Sequence, residues 1–499
     1  QSVIVIAPIT TLQSNLVIGA IFCLYDRYQI NMERTLIKNL AAHKTETVLI
    51  NAWVHVARDQ GKMAFFDFRD RSGKVQGVVF GKPEVLEIAK TLRPEFVVAI
   101  TGIVNERPEK MRKEGVLNGD IELEITGIEV LSEAQTPVFE ISEDSIDKDE
   151  EVRLKYRSLD LRTERMQRNI RVRSEFVRRC RNFLMERDFC EIETPLLTES
   201  TPEGSRDFVV PSRHNPGSFY ALPQSPQQYK QLLMNAGFER YVQIARAIRD
   251  EDLRADRGYE HTQIDVEMSF VKREDVMSII EEMVTTTVES MGYTIKQKPF
   301  PVITYQESME KYGADKFDLR TEEDKKNGVL AYAWVVDFPF FEKTDSGAWT
   351  FTHNPFSMPK EEYIDDLLAG ENIENILTTQ YDLVCNGYEA GGGSIRSHKP
   401  EILEAVYKVM GNTAEEIDDK VGHIIEAFKF GTPPHGGIAL GVERNVMNLT
   451  GEEALREVQA FPMTRKGQTA VMNAPKPLAL EQLLELGISV TKKNADEPK

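Results

Sequence analysis

The sequence predicts an α+β protein with two folded parts: a small all-β barrel near the N-terminus, then a larger domain built on an antiparallel sheet flanked by helices. Three observations lead there. At 499 residues and 41% hydrophobic content, the chain exceeds what one core organises, so two or three domains are the natural expectation. Between Thr47 and Leu131 short β-type runs alternate with turns. From Leu222 to Phe270 a helical stretch leads into two alternating runs separated by a polar loop, the pattern of a helix followed by a hairpin.

Residues 1–31 stand apart as an extension to which no role is assigned. Their apolar run Leu16–Tyr25 is too short to span a bilayer, and no basic residue precedes it as a secretory signal requires. Over 32–135 the runs VLINAWVHVA, AFFDFRD, VQGVVF, FVVAITGIV and IELEITGIEVL are the strands. Arg69-Asp70-Arg71-Ser72-Gly73 makes a hairpin turn, and Pro83–Leu92 a helix between strands. This is the element order of an OB-fold, whose open face commonly holds single-stranded nucleic acid. Residues 136–160, acidic and poor in aromatics, are expected to form a linker or hinge. Arg153–Arg187 is expected as helix, 161–480 as the sheet domain, and 481–499 as a tail.

Within the sheet domain, Ser225-Pro226 is a good helix entry, because proline at the first helical position loses only an orphan amide. Gln227 and Lys230 share one face of that helix. In the first strand Val242, Ile244 and Ile248 oppose Gln243, Ala245, Ala247 and Arg249. In the returning strand Ile264, Val266, Met268 and Phe270 form the apolar face; His261, Gln263, Asp265 and Glu267 form the polar one. Two origins fit so polar a face: a ligand site, or a hairpin with one solvated side.

Composition narrows the function classes. A net charge of −19 runs against the basic footprint usual for nucleic-acid binding. Local distribution can override that total, and eight arginines crowd Arg162–Arg181, as either a solvated or interface helix or a direct RNA contact. Four cysteines without metal spacing imply free thiols in a reducing compartment, hence a cytoplasmic protein with no membrane partner.

The literal string RDEDLRADRGYEHTQIDVE resembles motif 2 of the class II aminoacyl-tRNA synthetases, and QSPQQYKQLLM with RDEDLRADR resembles the aspartyl group of class IIb. FLMERDFCEIETPLLTESTPEGSRDF is similar to motif 1, with Pro195 ending a dimer-interface strand. PPHGGIALGVER is similar to motif 3, a strand leading into a helix whose first turn carries Arg444. WTFTHNPF and DLVCNGYEAGGGSIR supply further matching pieces, and the match runs over nearly the whole chain from Met32.

The resemblance implies a homodimeric enzyme that activates L-aspartate with ATP, with Mg2+ bridging the phosphates, and charges tRNA-Asp; tRNA-Asn stays open as a second acceptor. Arg249 and Arg444 would be catalytic, since permanently charged planar donors suit a phosphate accumulating charge. Aspartate would meet Glu203, Gln227, Lys230, Arg249, Asp265, His353 and Arg396, with Thr201–Ser205 as a closing loop. ATP would meet Arg249, Asp250, Glu251, Gly258, His261, Glu389, Gly441, Val442, Glu443 and Arg444. Glu389 and Asp382 would hold the metal, although a two-residue period sets positions seven apart on opposite faces unless Gly387 marks a bulge. Gly391-Gly392-Gly393 would let the backbone approach a ligand. Lys230 and Arg396 would bracket the substrate side chain; pairing of Arg396 with Glu389 or Asp382 is the structural alternative. In the barrel Arg58, Phe65 and Gln76 would contact the anticodon, with Phe65 otherwise a core aromatic.

Three departures from the family pattern stand out. Between Tyr312 and Trp334 the large insertion of bacterial relatives is replaced by a short polar loop near 318–329. His261 stands where relatives stack phenylalanine on adenine, and Val56-Ala57 where they carry more arginine. Asparaginyl-tRNA synthetase and a non-catalytic RNA-binding paralogue remain the alternatives.

Overall fold

A computed structural model describes residues 32–200 and 203–491. The 1–31 extension, Thr201 and Pro202 of the expected closing loop, and the last part of the tail lie outside them. Two compact units divide after Lys148.

In the first unit β1 (Thr47–Asp59), β2 (Met63–Asp70), β3 (Gly73–Phe80), β4 (Val97–Glu106) and β5 (Ile121–Ser132) close a barrel in the order β1-β2-β3-β5-β4, with α1 (Pro83–Ala89) between β3 and β4. Alternation decides what faces inward: Val48, Ile50, Ala52 and Val54, with Ala64, Phe66 and Phe68 across from them, are buried. Phe65 and Asp67 therefore point outward.

Residues 133–149 form no helix or strand, and helices begin at Glu150. α2 (Glu150–Lys155) and α3 (Arg157–Asp160) precede α4 (Glu164–Met185), so the helix expected from Arg153 to Arg187 is interrupted twice. Charge pairing is the reason this stretch folds. Arg153 is buried against Asp160 and Glu457 (2.6 Å to Glu457 Oε2), and Arg157 against Asp160 and the carbonyls of Arg456 and Gln459. Arginines of α4 are spent similarly. Arg165 reaches Glu452 and Glu457, both at 2.9 Å, Arg173 reaches Glu443 at 2.9 Å, and Arg178 and Arg179 share Glu175.

The sheet contains β6 (Cys190–Glu191), β7 (Arg240–Ile248), β8 (Glu260–Ser269), β9 (Val302–Thr304), β10 (Tyr332–Val336), β11 (Tyr381–Cys385), β12 (Tyr388–Ile395) and β13 (His435–Gly441). Its order is β9-β10-β11-β12-β13-β8-β7-β6. The pairs are antiparallel except at the two edges, β9–β10 and β6–β7. One face carries Val242, Ile264, Val266, Leu383, Ile438 and Leu440. They are sealed by α4, α6 (Arg273–Ser290) and α8 (Val442–Thr450) through Phe176, Phe183, Ile280, Val284 and Val446. The other face is polar and opens to a cleft.

Four local expectations need correction. Phe270 leaves the apolar face: β8 stops at Ser269, φ turns to +60°, and the ring is 67% exposed. The 318–329 segment is not a plain loop, since Thr321 caps a helix α7 (Glu322–Lys326) in a reciprocal capping box with Asp324. Pro195 ends no strand, because pairing at that edge stops at Glu191. The tail is not featureless, with Leu480–Glu485 helical. The described cysteines, Cys180, Cys190 and Cys385, are free thiols. Among the described residues no helix is long and apolar enough to cross a membrane.

Candidate active site

The polar sheet face, with α5 (Gln227–Asn235) beside it, encloses a cleft of about 430 Å³. Register lines up Gly392, Ala439 and Asp265 in one row, and Ser394, Gly437 and Glu267 in the next. Small residues on the middle strands leave room for long acids on β8: a β-carbon at Gly437 would collide with the Glu267 carboxylate. The glycine triplet divides its work. A β-carbon at Gly391 would strike Leu440 Cδ2 at 2.5 Å, and one at Gly393 the Gly437 carbonyl, so both pack tightly on the neighbouring strand; all three line the cleft, and Gly392 faces its carboxylates.

At one end of the cleft, charge is dense and buried. Lys230 Nζ lies 2.8 Å from Asp265 Oδ1 and 3.2 Å from Glu267 Oε2. Arg396 donates from Nε and Nη2 to Glu267 (2.9 and 3.1 Å) and from Nη1 to Ser394 Oγ (2.9 Å). The partner of Arg396 is thus neither Glu389 nor Asp382 but Glu267, a residue with no role assigned from sequence although it stands on the expected polar face. Burial works against the Glu267 charge, yet Arg396 and Lys230 hold it down to about 2. Burial raises Asp265, the Glu267 charge adding to the effect against Lys230. Burial also raises Glu203, whose Oε2 accepts from Ser225 Oγ at 2.5 Å. Asp265 Oδ2 and Glu203 Oε1 are buried without a hydrogen-bond partner. Two idle carboxylate oxygens beside two cations suit a zwitterion that carries a second carboxylate.

The other end carries the arginines. Arg249, just past β7, donates Nε to Gln224 O at 3.2 Å and stands 4.0 Å from Glu251 Oε1. Arg444, in the first turn of α8, lies 3.1 Å from Asp256 Oδ2 and 3.5 Å from Glu389 Oε2. Both side chains keep partial exposure to the cleft. His261 lines it between them; burial, with Arg249 and Arg444 near, pushes the ring down to about 3, so it is a neutral aromatic surface. Glu251, Gly258, Gly441 and His353 line the cleft too. Asp250 does not: it lies near Arg206, 3.5 Å away. Val442 is buried in the opposite core. Glu443 borders the cleft but is committed to the Thr262 amide (3.0 Å), Arg173 and Gln459.

Asp382 and Glu389 share a face, contrary to the two-residue period. They stand on neighbouring strands, and a register shift between Leu383 and Val384 makes room for the extra residue Ala390. Gly387, at φ +89°, forms the turn rather than the bulge. A β-carbon at Gly392 would lie 2.9 Å from Asp382 Oδ1 and 3.4 Å from Glu389 Oε1, so both carboxylates converge there. Burial pushes Asp382 up to about 6, the Glu389 charge contributing, and its Oδ2 has no partner. Despite burial, Arg444 and Lys316 hold Glu389 at about 2. One buried acid with no salt bridge beside one acid held ionised fits a hard divalent ion shared with phosphate oxygens. Lys316, 3.2 Å from Glu389 Oε2, was not anticipated. Its only sequence signal is its position at the edge of the shortened loop.

On the barrel, Arg58 pairs across strands with Phe65, and Asp67 with Gln76. All four lie on the outer face, Arg58 Nη2 3.1 Å from Asp67 Oδ2. Phe65 is part-exposed and outside the barrel core.

The model for tRNA synthetases class II (D, K and N) matches residues 149–465, and that for an OB-fold nucleic acid binding domain matches 48–131. The chain is 39% identical to the aspartate–tRNA(Asp/Asn) ligase of Corynebacterium jeikeium over an alignment 583 positions long, covering 91% of this chain and 96% of the relative. It is 38% identical to that of Natranaerobius thermophilus, covering 89% and 97%. Solved structures with the same fold include aspartyl tRNA synthetase from Entamoeba histolytica (TM-score 0.69, 23% identity, 87% of this chain and 92% of that one). Another is asparaginyl-tRNA synthetase from Pyrococcus horikoshii with asparaginyl-adenylate (TM-score 0.70, 22% identity, 87% and 99%).

Proposed function

Because the chain belongs to the class II tRNA synthetases, we propose that its cleft activates L-aspartate with ATP and passes the aspartyl group to tRNA-Asp, and to tRNA-Asn as the names of its relatives indicate. The carrying observation is the pairing of Lys230 and Arg396 at one end of the cleft with Arg249 and Arg444 at the other. Lys230 has three donors and Arg396 five, and the internal partners use two and three of them. The rest are free for the substrate side-chain carboxylate. The Glu203 and Asp265 oxygens take the α-ammonium.

An α-carboxylate oxygen then attacks the α-phosphorus, the bond to the β-phosphate oxygen breaks, and pyrophosphate leaves. Arg249 neutralises the charge gathering on the α-phosphate; Arg444 holds the terminal phosphate. His261 offers its neutral ring to the adenine. Mg2+ held by Glu389 and Asp382 would neutralise phosphate charge. Tying Glu389 to Lys316 and Arg444 keeps that carboxylate ionised and in place. In the second step a 3′-terminal ribose hydroxyl attacks the aspartyl carbonyl and AMP departs, while the outer barrel face with Arg58, Phe65 and Gln76 reads the anticodon. A homodimeric assembly and a cytoplasmic setting complete the proposal, both on family grounds.

An asparagine-activating enzyme is the second reading, and the two cations disfavour it: an amide would set a donor against them and leave charge poorly matched. ATP–pyrophosphate exchange with each of the twenty amino acids is the test. Aspartate alone should support it, and comparable exchange with asparagine would overturn the assignment. Charging of tRNA-Asp and tRNA-Asn transcripts then measures acceptor range.

A further inference from the structure

Behind the cleft runs a buried hydrogen-bonded line whose direction is fixed from its far end. His435 Nδ1 lies 2.8 Å from Pro433 O, and a carbonyl only accepts, so Nδ1 carries the ring proton. Burial, with Arg396 and His398 alongside, pushes this ring down to about 4 against the pull of Glu267, so it stays neutral and Nε2 is an acceptor. Gln231 Nε2 donates to it at 3.3 Å. The other end of that amide, Gln231 Oε1, therefore accepts, and Gln227 Nε2 donates to it at 3.1 Å. Only one amide orientation satisfies each link.

The consequence reaches the cleft. Gln227 turns its donor end inward, leaving its carbonyl oxygen for whatever enters. Ser225 fixes the neighbourhood: its Oγ donates to Glu203 Oε2 and accepts from Gln227 N at 3.2 Å. The Gln227 carbonyl thus joins the unpartnered Glu203 Oε1 and Asp265 Oδ2 as a third acceptor on the cleft wall, with Lys230 already bonded to the other oxygen of Asp265. Such a wall suits a cation with several N–H donors.

We propose that Gln231 and His435 are positioning residues that hold the Gln227 carbonyl outward as an acceptor for the α-ammonium group of the amino-acid substrate. The proposal rests on the amino-acid-activating reading above, and concerns two residues that do not themselves face the cleft. If the line is broken at Gln231, the Gln227 amide keeps its orientation only by leaving a buried N–H unpaired, so affinity falls for ligands that carry the ammonium and for no others.

The experiment compares L-aspartate with succinate, the same diacid without the ammonium, as competitive inhibitor of pyrophosphate exchange by the full chain. Gln231→Met should raise the aspartate KM about tenfold and leave kcat, the ATP KM and the succinate inhibition constant unchanged. Gln231→Glu retains an acceptor for Gln227, one proton being shared between its carboxyl and His435, and should restore the aspartate KM to near wild type. Gln227→Met should show the same aspartate-selective loss, and Gln231→Met should add nothing to it. The proposal falls if aspartate and succinate weaken together, if Gln231→Glu is as impaired as Gln231→Met, or if Gln231→Met changes nothing. Should Gln231→Met not fold, the Gln227→Met comparison of the two ligands still decides. A wild-type chain that fails to exchange pyrophosphate with aspartate counts against the function itself, a separate outcome.

Discussion

Replacing Arg396 with leucine separates binding from folding. The guanidinium is buried, makes two bonds to Glu267, and leaves that fully buried carboxylate with only Lys230, at 3.2 Å and shared with Asp265. Removing one partner of a buried pair costs about 3–5 kcal/mol. In a unit of this size the midpoint of thermal unfolding should fall by roughly 4–7 °C. Aspartate loses a charge-assisted donor edge as well, so its KM should rise roughly 100-fold while the ATP KM barely moves. Adding Glu267→Gln removes the stranded charge, and the double variant should regain much of the lost stability but not the aspartate affinity. Thermal melts with pyrophosphate exchange at varied aspartate read both quantities. Recovery of the aspartate KM together with stability would refute the reasoning, because Arg396 would then serve only to neutralise Glu267.

Three further outcomes are expected. Arg249→Ala should lower pyrophosphate exchange by about 100 to 1,000-fold with an unchanged melt; near-normal exchange would remove Arg249 from the phosphate site. Asp382 sits above its ordinary value, so the folded protein keeps a proton that the unfolded chain releases near pH 4. The stability this gives is present below about pH 4 and is lost as pH rises through about 6, a swing of roughly 2–3 kcal/mol. Asp382→Asn should remove that swing from the melts and raise the Mg2+ needed for exchange, whereas wild type and variant declining in parallel with pH would contradict both. Phe65→Ala should raise the tRNA KM roughly 5 to 100-fold through lost stacking and leave exchange untouched; an equal loss in exchange would mean the barrel had unfolded instead.

Much of this arrangement is legible in the chain because alternation is a local property. The outward Phe65, the polar face His261–Glu267 and the placement of Arg444 in the first turn of α8 all follow from periodicity and motif. What escapes is pairing across distance. Glu267 and Arg396 are 129 positions apart, so the sequence offers two cations to the substrate without revealing the acid already between them. The convergence of Asp382 and Glu389 depends on an extra residue at Ala390, a non-glycine bulge that no residue type announces. All three glycines of the triplet line the cleft with their backbone, while alternation also presses Gly391 and Gly393 against the neighbouring strand. The short helices that follow the linker hold because Arg153 and Arg157 find acids and carbonyls at Arg456–Gln459, again far along the chain.

The crossing from Lys316 to Leu330 is a seam whose two edges are sewn independently. On one side Lys296 Nζ holds both Leu319 O (2.7 Å) and Asp324 (2.6 Å), and the Leu330 amide reaches Thr294 O at 2.9 Å. On the other, Lys316 is fastened to Glu389. With both edges anchored, the length of chain between them is nearly free to change, each doubling costing only about 0.6 kcal/mol. A reporter spliced just after α7 would therefore ride on the domain without straining its strands. Through Lys316 it would stay mechanically tethered to the Glu389 carboxylate.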